Sequence, residues 1–195
     1  TSQGLRNLTG FKKLATPRLG DALFTDTTLG ILRKNGMLHL LYFARPGAVD
    51  SADHDKRPKS AEDVVYLNLA SAPVTDAGLK ELDVFPNLKT LDLSDTLISD
   101  VGVKELRAFK SLTDARLSGT NVSDAGLKEL AAVPTLRWIS LKKTLITDEG
   151  LINLAPLKKL ERLSFEPEQI TDRALQSLHQ AGLLHTIASA EYQQP

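Results

Sequence analysis

Four histidines, His39, His54, His179 and His185, are the chain's candidates for proton transfer near neutral pH. None stands in an H-E-x-x-H pair, and no G-x-S-x-G elbow or Walker loop accompanies them. A second candidate chemistry is carboxylate: Asp76, Asp100, Asp124, Asp148 and Asp172 could act as acid and base if two converged. They recur at a constant step of 24 residues, each behind a Ser or Thr. A residue present in every unit serves the unit, and an N-cap hydroxyl followed by a negative charge suits a helix start. Asp50, Asp53, His54 and Asp55 form a third group, mixing carboxylates with one imidazole. Their spacing lacks the fixed frame, glycine and closing Glu of an EF-hand, so a solvated polar loop is the better reading. No catalytic, cofactor-binding or metal-ligating residue is assigned, and the chain is expected not to be an enzyme.

The element that positions all these residues is a repeat. Leu69, Leu93, Leu117, Leu141 and Phe165 share the 24-residue step, as do Leu67, Leu91, Ala115, Ile139 and Leu163. Gly78, Gly102, Gly126 and Gly150 form another column, followed by Leu82, Leu106, Leu130, Leu154 and Leu178. In Leu88-Lys-Thr-Leu-Asp-Leu93 the alternation of period two sends Leu91 and Leu93 to one face and Thr90 and Asp92 to the other, a short half-buried strand. Leu79, Leu82 and Phe85 then recur at helical spacing. The glycine column implies a close backbone approach between helix and sheet. A lone strand–helix unit cannot bury its apolar side, whereas stacked units share one core.

The register predicts a single domain over 1–195 with about seven repeats. It places a cap helix near 4–14, further strands near Pro17–Leu19 and Leu41–Phe43, and a C-terminal cap near 180–195. Ile187 and Ser189 fall where an eighth strand would sit. From Phe43 to Leu69 the step is 26 residues, and the helix start is replaced by a Pro-, Asp- and Lys-rich stretch over 44–63, read as an exposed loop insertion.

The strand pattern L-x-x-L-x-L resembles the leucine-rich-repeat family, over about residues 4–189. The helix entry Ile146-Thr-Asp-Glu-Gly-Leu151 resembles the cysteine-containing and ribonuclease-inhibitor-like subclasses, with 24-residue repeats similar to those of environmental bacteria such as planctomycetes. Thr96, Thr120 and Thr144 stand where that family usually carries Asn or Cys. The resemblance implies an α/β solenoid, a horseshoe arc with a parallel sheet on its concave face and helices on its convex face. It also implies a protein-binding module.

On such a sheet the residues between the core positions face a partner. The candidates are Tyr42, Tyr66, Asn68, Asp92, Asp114, Arg116, Trp138, Lys142 and Arg162, with the 44–63 loop as a second contact. Tyr, Trp and Arg are the types that dominate interface hot spots. An exposed aromatic on a strand can equally be a cross-strand packing partner. The expected partner is a protein or peptide, and the chain is expected to be a monomer. Twenty-four basic residues balance 24 acidic ones, so no global field draws it to nucleic acid or to an anionic membrane. No apolar run approaches the roughly 18–20 residues of a membrane span. There is no cysteine, hence no disulfide or thiolate zinc site. No signal peptide is read in the chain, which starts at Thr1 as a mature form or an excised piece would, and its compartment stays open. Other readings remain: the recognition arm of an F-box-like adaptor, a bacterial effector, a structural or envelope-associated protein, or an enzyme using the 44–63 loop.

Overall fold

Three residues of alternating pattern between two turns allow only a short strand, and each repeat has one. The computed structural model describes residues 25–41, 44–45, 58–166 and 171–188. The expected cap helix near 4–14, the strand near 17–19, Tyr42, Phe43, most of the 44–63 insertion with Asp50, Asp53, His54 and Asp55, and the last seven positions lie outside the described residues. Strands β2 (Tyr66–Asn68), β3 (Thr90–Asp92), β4 (Asp114–Arg116), β5 (Trp138–Ser140) and β6 (Arg162–Ser164) form a parallel ladder in chain order. Register sets Leu67 beside Leu91, Leu91 beside Ala115, Ala115 beside Ile139 and Ile139 beside Leu163.

Parallel neighbours need a crossover between them, and short helices supply it. They are α2 (Asp76–Leu79), α3 (Asp100–Glu105), α4 (Asp124–Leu130) and a 3-10 turn at Glu149–Leu154. Helices α1 (Asp26–Lys34) and α5 (Asp172–Ala181) flank this series. Leucines of the sheet and helix columns merge into one core running from Leu29 to Leu183. The architecture is an α/β leucine-rich solenoid.

Between strand and helix the chain makes the same turn each time. Ser71, Asp95, Gly119 and Lys143, at one repeat position, all take a left-handed conformation, with φ of 61°, 56°, 69° and 55°. The threonines that follow fasten this turn: Thr96, Thr120 and Thr144 donate their hydroxyls to the carbonyls of Leu93, Leu117 and Leu141 at 2.6, 2.5 and 2.7 Å. Thr120 is 2% exposed, so losing this donor leaves the Leu117 carbonyl with only the longer bond from the Thr120 N–H, at 3.3 Å. Thr120→Val, which keeps the branched shape, is expected to cost about 1 kcal/mol in urea unfolding, and Thr120→Ser much less. Equal losses for Val and Ser would assign the effect to packing instead.

The aspartate and glycine columns work differently from the expectation. The Ser or Thr does cap its own helix, but through long bonds, 3.3 Å from the N–H of Ala77, Val101 and Ala125. The Asp after it reaches into the next repeat. Asp76 accepts from the Ser99 N–H and Oγ–H at 2.8 and 2.6 Å, Asp100 from those of Ser123 at 2.8 and 2.6 Å, and Asp124 from those of Thr147 at 2.8 and 2.7 Å. Asp148 accepts from Thr171 Oγ1 at 2.5 Å. A Cβ on Gly78, Gly102, Gly126 or Gly150 would come within 2.2, 2.3, 2.5 or 1.9 Å of Oδ1 of Asp26, Asp76, Asp100 or Asp124. Glycine is therefore required first by the preceding repeat's carboxylate, with Val74, Ile98 and Val122 of its own unit also at 3.0, 3.0 and 2.7 Å from a Cβ at Gly78, Gly102 and Gly126. Aspartate and glycine together form one clamp between units.

Asp26 shows how the fold carries the broken period. It clamps Thr75, 49 residues on, through the N–H at 2.9 Å and the hydroxyl at 2.5 Å. The described part of the unit between holds no α-helix, and α1 packs directly on α2, so the helical layer stays continuous.

Both ends of the sheet depart from the repeat. Leu38–Leu40 is a 3-10 turn, the strand expected near 41–43 falls mostly on residues outside those described, and just after it β1 (Ala44–Arg45) runs antiparallel to β2, with Ala44 opposite Leu67. Antiparallel neighbours need no helical crossover between them, which accords with the missing Thr-Asp-x-Gly-Leu helix start. The insertion thus begins as strand, and it ends as a 3-10 turn at Ala61–Asp63. There the N–H groups of Lys59 and Ser60 donate to Asp63 and hold its carboxyl below the ordinary Asp value. At the other end no eighth strand forms at Ile187. Gly182, with φ of 73°, ends α5, the Leu183 N–H returns to the Leu178 carbonyl, and the chain enters helix α6 (His185–Ala188) against β6. Leu184, one period after the buried Leu160, is 41% exposed as a result.

Candidate protein-binding face

Successive side chains of a strand alternate faces, so the residues between the core leucines stand together on the sheet's other face. Parallel pairing sorts them into two rows. One runs Tyr66, Thr90, Asp114, Trp138, Arg162, and the other Asn68, Asp92, Arg116, Ser140, Ser164. Neighbours in a row lie about 4.8 Å apart, close enough for long side chains to stack.

The centre of this face is a ladder of charges and one ring. Arg116 Nη1 donates to Asp92 Oδ2 at 3.2 Å. The Arg116 guanidinium lies 4.7 Å from the centre of the Trp138 ring, and that of Arg162 lies 4.2 Å from it. Two cations thus flank one indole, an attraction of about 0.5–2 kcal/mol per contact. Trp138 Nε1 donates to Ser164 Oγ at 3.3 Å, and Ser118 and Ser140 share a hydroxyl bond of 2.7 Å. Thr113 donates its hydroxyl to Asp114. Ring plane, indole N–H and guanidinium are therefore held before any partner arrives.

Individual positions differ from the expectation that all of these side chains stand free. Arg116, Asn68, Asp114, Trp138 and Arg162 are half-buried, and Lys142 is exposed. Tyr66 is only 6% exposed and Asp92 only 7%. Tyr66 lies opposite Arg45 of β1, inside the sheet and not at its margin. Asp92 is spent internally, since its Oδ1 also accepts the Ser94 N–H at 3.0 Å. The indole between two arginines was not foreseen as a unit. Its signal was present all the same, because Trp138 and Arg162 occupy the same column of adjacent repeats and Arg116 the diagonal.

The helical face carries surface ion pairs such as Arg33–Asp83 at 2.7 Å and Arg107–Glu129 at 2.5 Å, a class worth little individually. Among the described residues no three His, Asp or Glu side chains gather as a metal site would need. No described helix is long and apolar enough to cross a membrane.

The profile of the Leucine Rich repeat family matches residues 86–106. That stretch contains β3, the Thr96 turn, the Ser99-Asp100 cap and Gly102, one unit of an array whose other units keep the same register. Residues 86–106 are thus a leucine-rich repeat, and the neighbouring units share its register. Two solved structures of internalins from Listeria monocytogenes are similar to parts of the chain. One is an internalin C2, 19% identical with a TM-score of 0.29, the match covering 54% of this chain and 62% of that one. The other is an internalin F, 21% identical with a TM-score of 0.40, covering 61% of this chain and 40% of that one. In both cases the chain spans less than two thirds of the relative's length. No curated protein matches the repeat protein.

Proposed function

We propose that this leucine-rich-repeat protein is a non-catalytic binding module that recognises a protein or peptide on the open face of its sheet, centred on Trp138. One observation carries the reading. A half-exposed indole is locked between two guanidiniums on a rigid sheet, an arrangement that spends buried-type interactions on a surface position. Rigid Trp and Arg anchors that lose little entropy on association are what hot spots are made of. Asp114, Lys142 and Arg162 surround it as the rim, Tyr66 and Asp92 support the face from within, and Asn68 lies apart on β2. The nine-residue patch expected from the sequence thereby narrows to its β4–β6 half. Tyr42, which lies outside the described residues, stays a proposed contact of the sheet face, and the 44–63 insertion a second proposed contact.

Affinity capture from a lysate with the wild-type chain and with Trp138→Ala tests this reading. Trp138→Ala is expected to lose at least about tenfold in retained partner, as truncation of an anchor does. Lys128→Glu on the exposed side of α4 is expected to retain it. Equal capture by Trp138→Ala, with an unchanged melting curve, would remove the function from this face.

A further inference from the structure

The binding face has a charge asymmetry that names the chemistry of its partner. Of its carboxylates, Asp92 is committed to Arg116 and to the Ser94 N–H, Asp114 accepts from Thr113, and Glu166 is already engaged. Among the described residues, neither Arg162 nor Lys142 has a carboxylate partner. Arg162 is also no free-swinging cation. Its stacking on Trp138 at 4.2 Å fixes the guanidinium plane and leaves the N–H edge as the part able to donate. A guanidinium held by its flat side and open at its edge suits the two oxygens of a carboxylate, which it can bind with two parallel hydrogen bonds.

Resting on the reading that this face binds a protein, we propose that the occupant is an acidic segment of that protein. An Asp or Glu carboxylate sits on the Arg162 edge beside Trp138, and Lys142 attracts neighbouring acidic residues. Nucleic acid fits the same two cations less well. Phosphate-backbone binding gathers many cations, and here Asp114 stands in the row beside Trp138 within a chain whose charges balance. The carboxylate is selected by geometry at one guanidinium, and the remaining charges set direction.

Trp138 is the only tryptophan in the chain, so its emission reports on this site alone. The test is a fluorescence titration of the intact chain with short, end-blocked peptides of alternating Glu and Ala, Gln and Ala, or Lys and Ala, and with a single-stranded oligouridylate. The Glu peptide is expected to give a saturable change in Trp138 emission that weakens with added salt. Arg162→Gln is expected to weaken it about tenfold, and Arg162→Lys, which keeps the charge but loses the fork, by several fold. Thermal melts of both variants matching the wild type keep the comparison on binding. A response to the Gln peptide equal to the Glu peptide would overturn the acidic partner while leaving a peptide-binding face. A response to oligouridylate alone would overturn both readings. Silence toward all the peptides, with lysate capture still lost in Trp138→Ala, would overturn the acidic partner only.

Discussion

Replacing Gly150 by alanine is expected to destabilise the array by about 2–3 kcal/mol, and the same replacement should turn neutral or slightly stabilising once Asp124 is alanine. The three atoms nearest a Cβ at Gly150 are all from the Asp124 carboxyl group, at 1.9, 2.2 and 2.8 Å. The methyl therefore has one way to fit, which is to expel that carboxylate. Expulsion breaks its bonds to the Thr147 N–H and hydroxyl, at 2.8 and 2.7 Å. Each hydrogen bond to a charged group is worth about 1.5–3 kcal/mol, less where water can replace it, as at this partly exposed turn. Alanine returns up to about 1 kcal/mol through its lower backbone entropy cost, which leaves the net loss. In Asp124→Ala the obstacle is gone and only that gain remains. Chemical denaturation of the two single variants and the double variant closes the cycle, with an expected coupling of about 2–3 kcal/mol. A Gly150→Ala cost that is the same in both backgrounds would place the obstruction elsewhere.

That clamp also marks where sequence reasoning ran out. The period, the strand and helix columns and the core were legible because each column repeats a residue type at fixed spacing. The aspartate column was equally visible, yet its role was assigned to its own helix. A one-dimensional pattern cannot say whether a carboxylate turns back on its own unit or forward to the next. The bond lengths decide it, with 3.3 Å for the local cap of Ala77 against 2.6 Å from Ser99 to Asp76. The left-handed turn was invisible for the opposite reason, since Ser71, Asp95, Gly119 and Lys143 have no type in common. The end structures were unreadable because they lie where the pattern fails: β1 reverses direction, and α6 replaces a strand.

On the open face, residue types were legible and their accessibility was not. Trp138 and Arg162 could be paired from register alone. Asp92 looked as free as Asp114, but it sits one strand from a long Arg that reaches back to it. Tyr66 looked like the first exposed aromatic of the row, but an antiparallel strand that the period does not predict runs alongside it. What a solenoid shows to a partner thus depends on lateral neighbours, which a repeat specifies, and on its ends, which it does not.

The position with the largest expected stability effect is Phe85, fully buried three residues after the 3-10 turn Lys80–Leu82 and just before Pro86. Its column continues as Phe109, Val133 and Leu157, all buried, so the ring is part of the one core that joins the stacked units. Phe85→Ala should cost about 4 kcal/mol in denaturant unfolding, against roughly half that for Val133→Ala, which removes fewer buried carbons. In a stacked array the consequence depends on coupling between neighbours. Here adjoining units share backbone ladder bonds, a continuous core and the Asp clamp, while a single three-residue strand and short helix hold little by themselves. The loss is therefore expected to move the whole transition. Far-ultraviolet circular dichroism, which follows all helices, and Trp138 fluorescence, two repeats away, should shift together. If ellipticity falls first while Trp138 stays native, the N-terminal units unfold on their own and the coupling assigned to the clamp is too strong. Coincident transitions would mean that the Arg116–Trp138–Arg162 platform exists only while the array is intact, so a distant core change would abolish binding without touching the face.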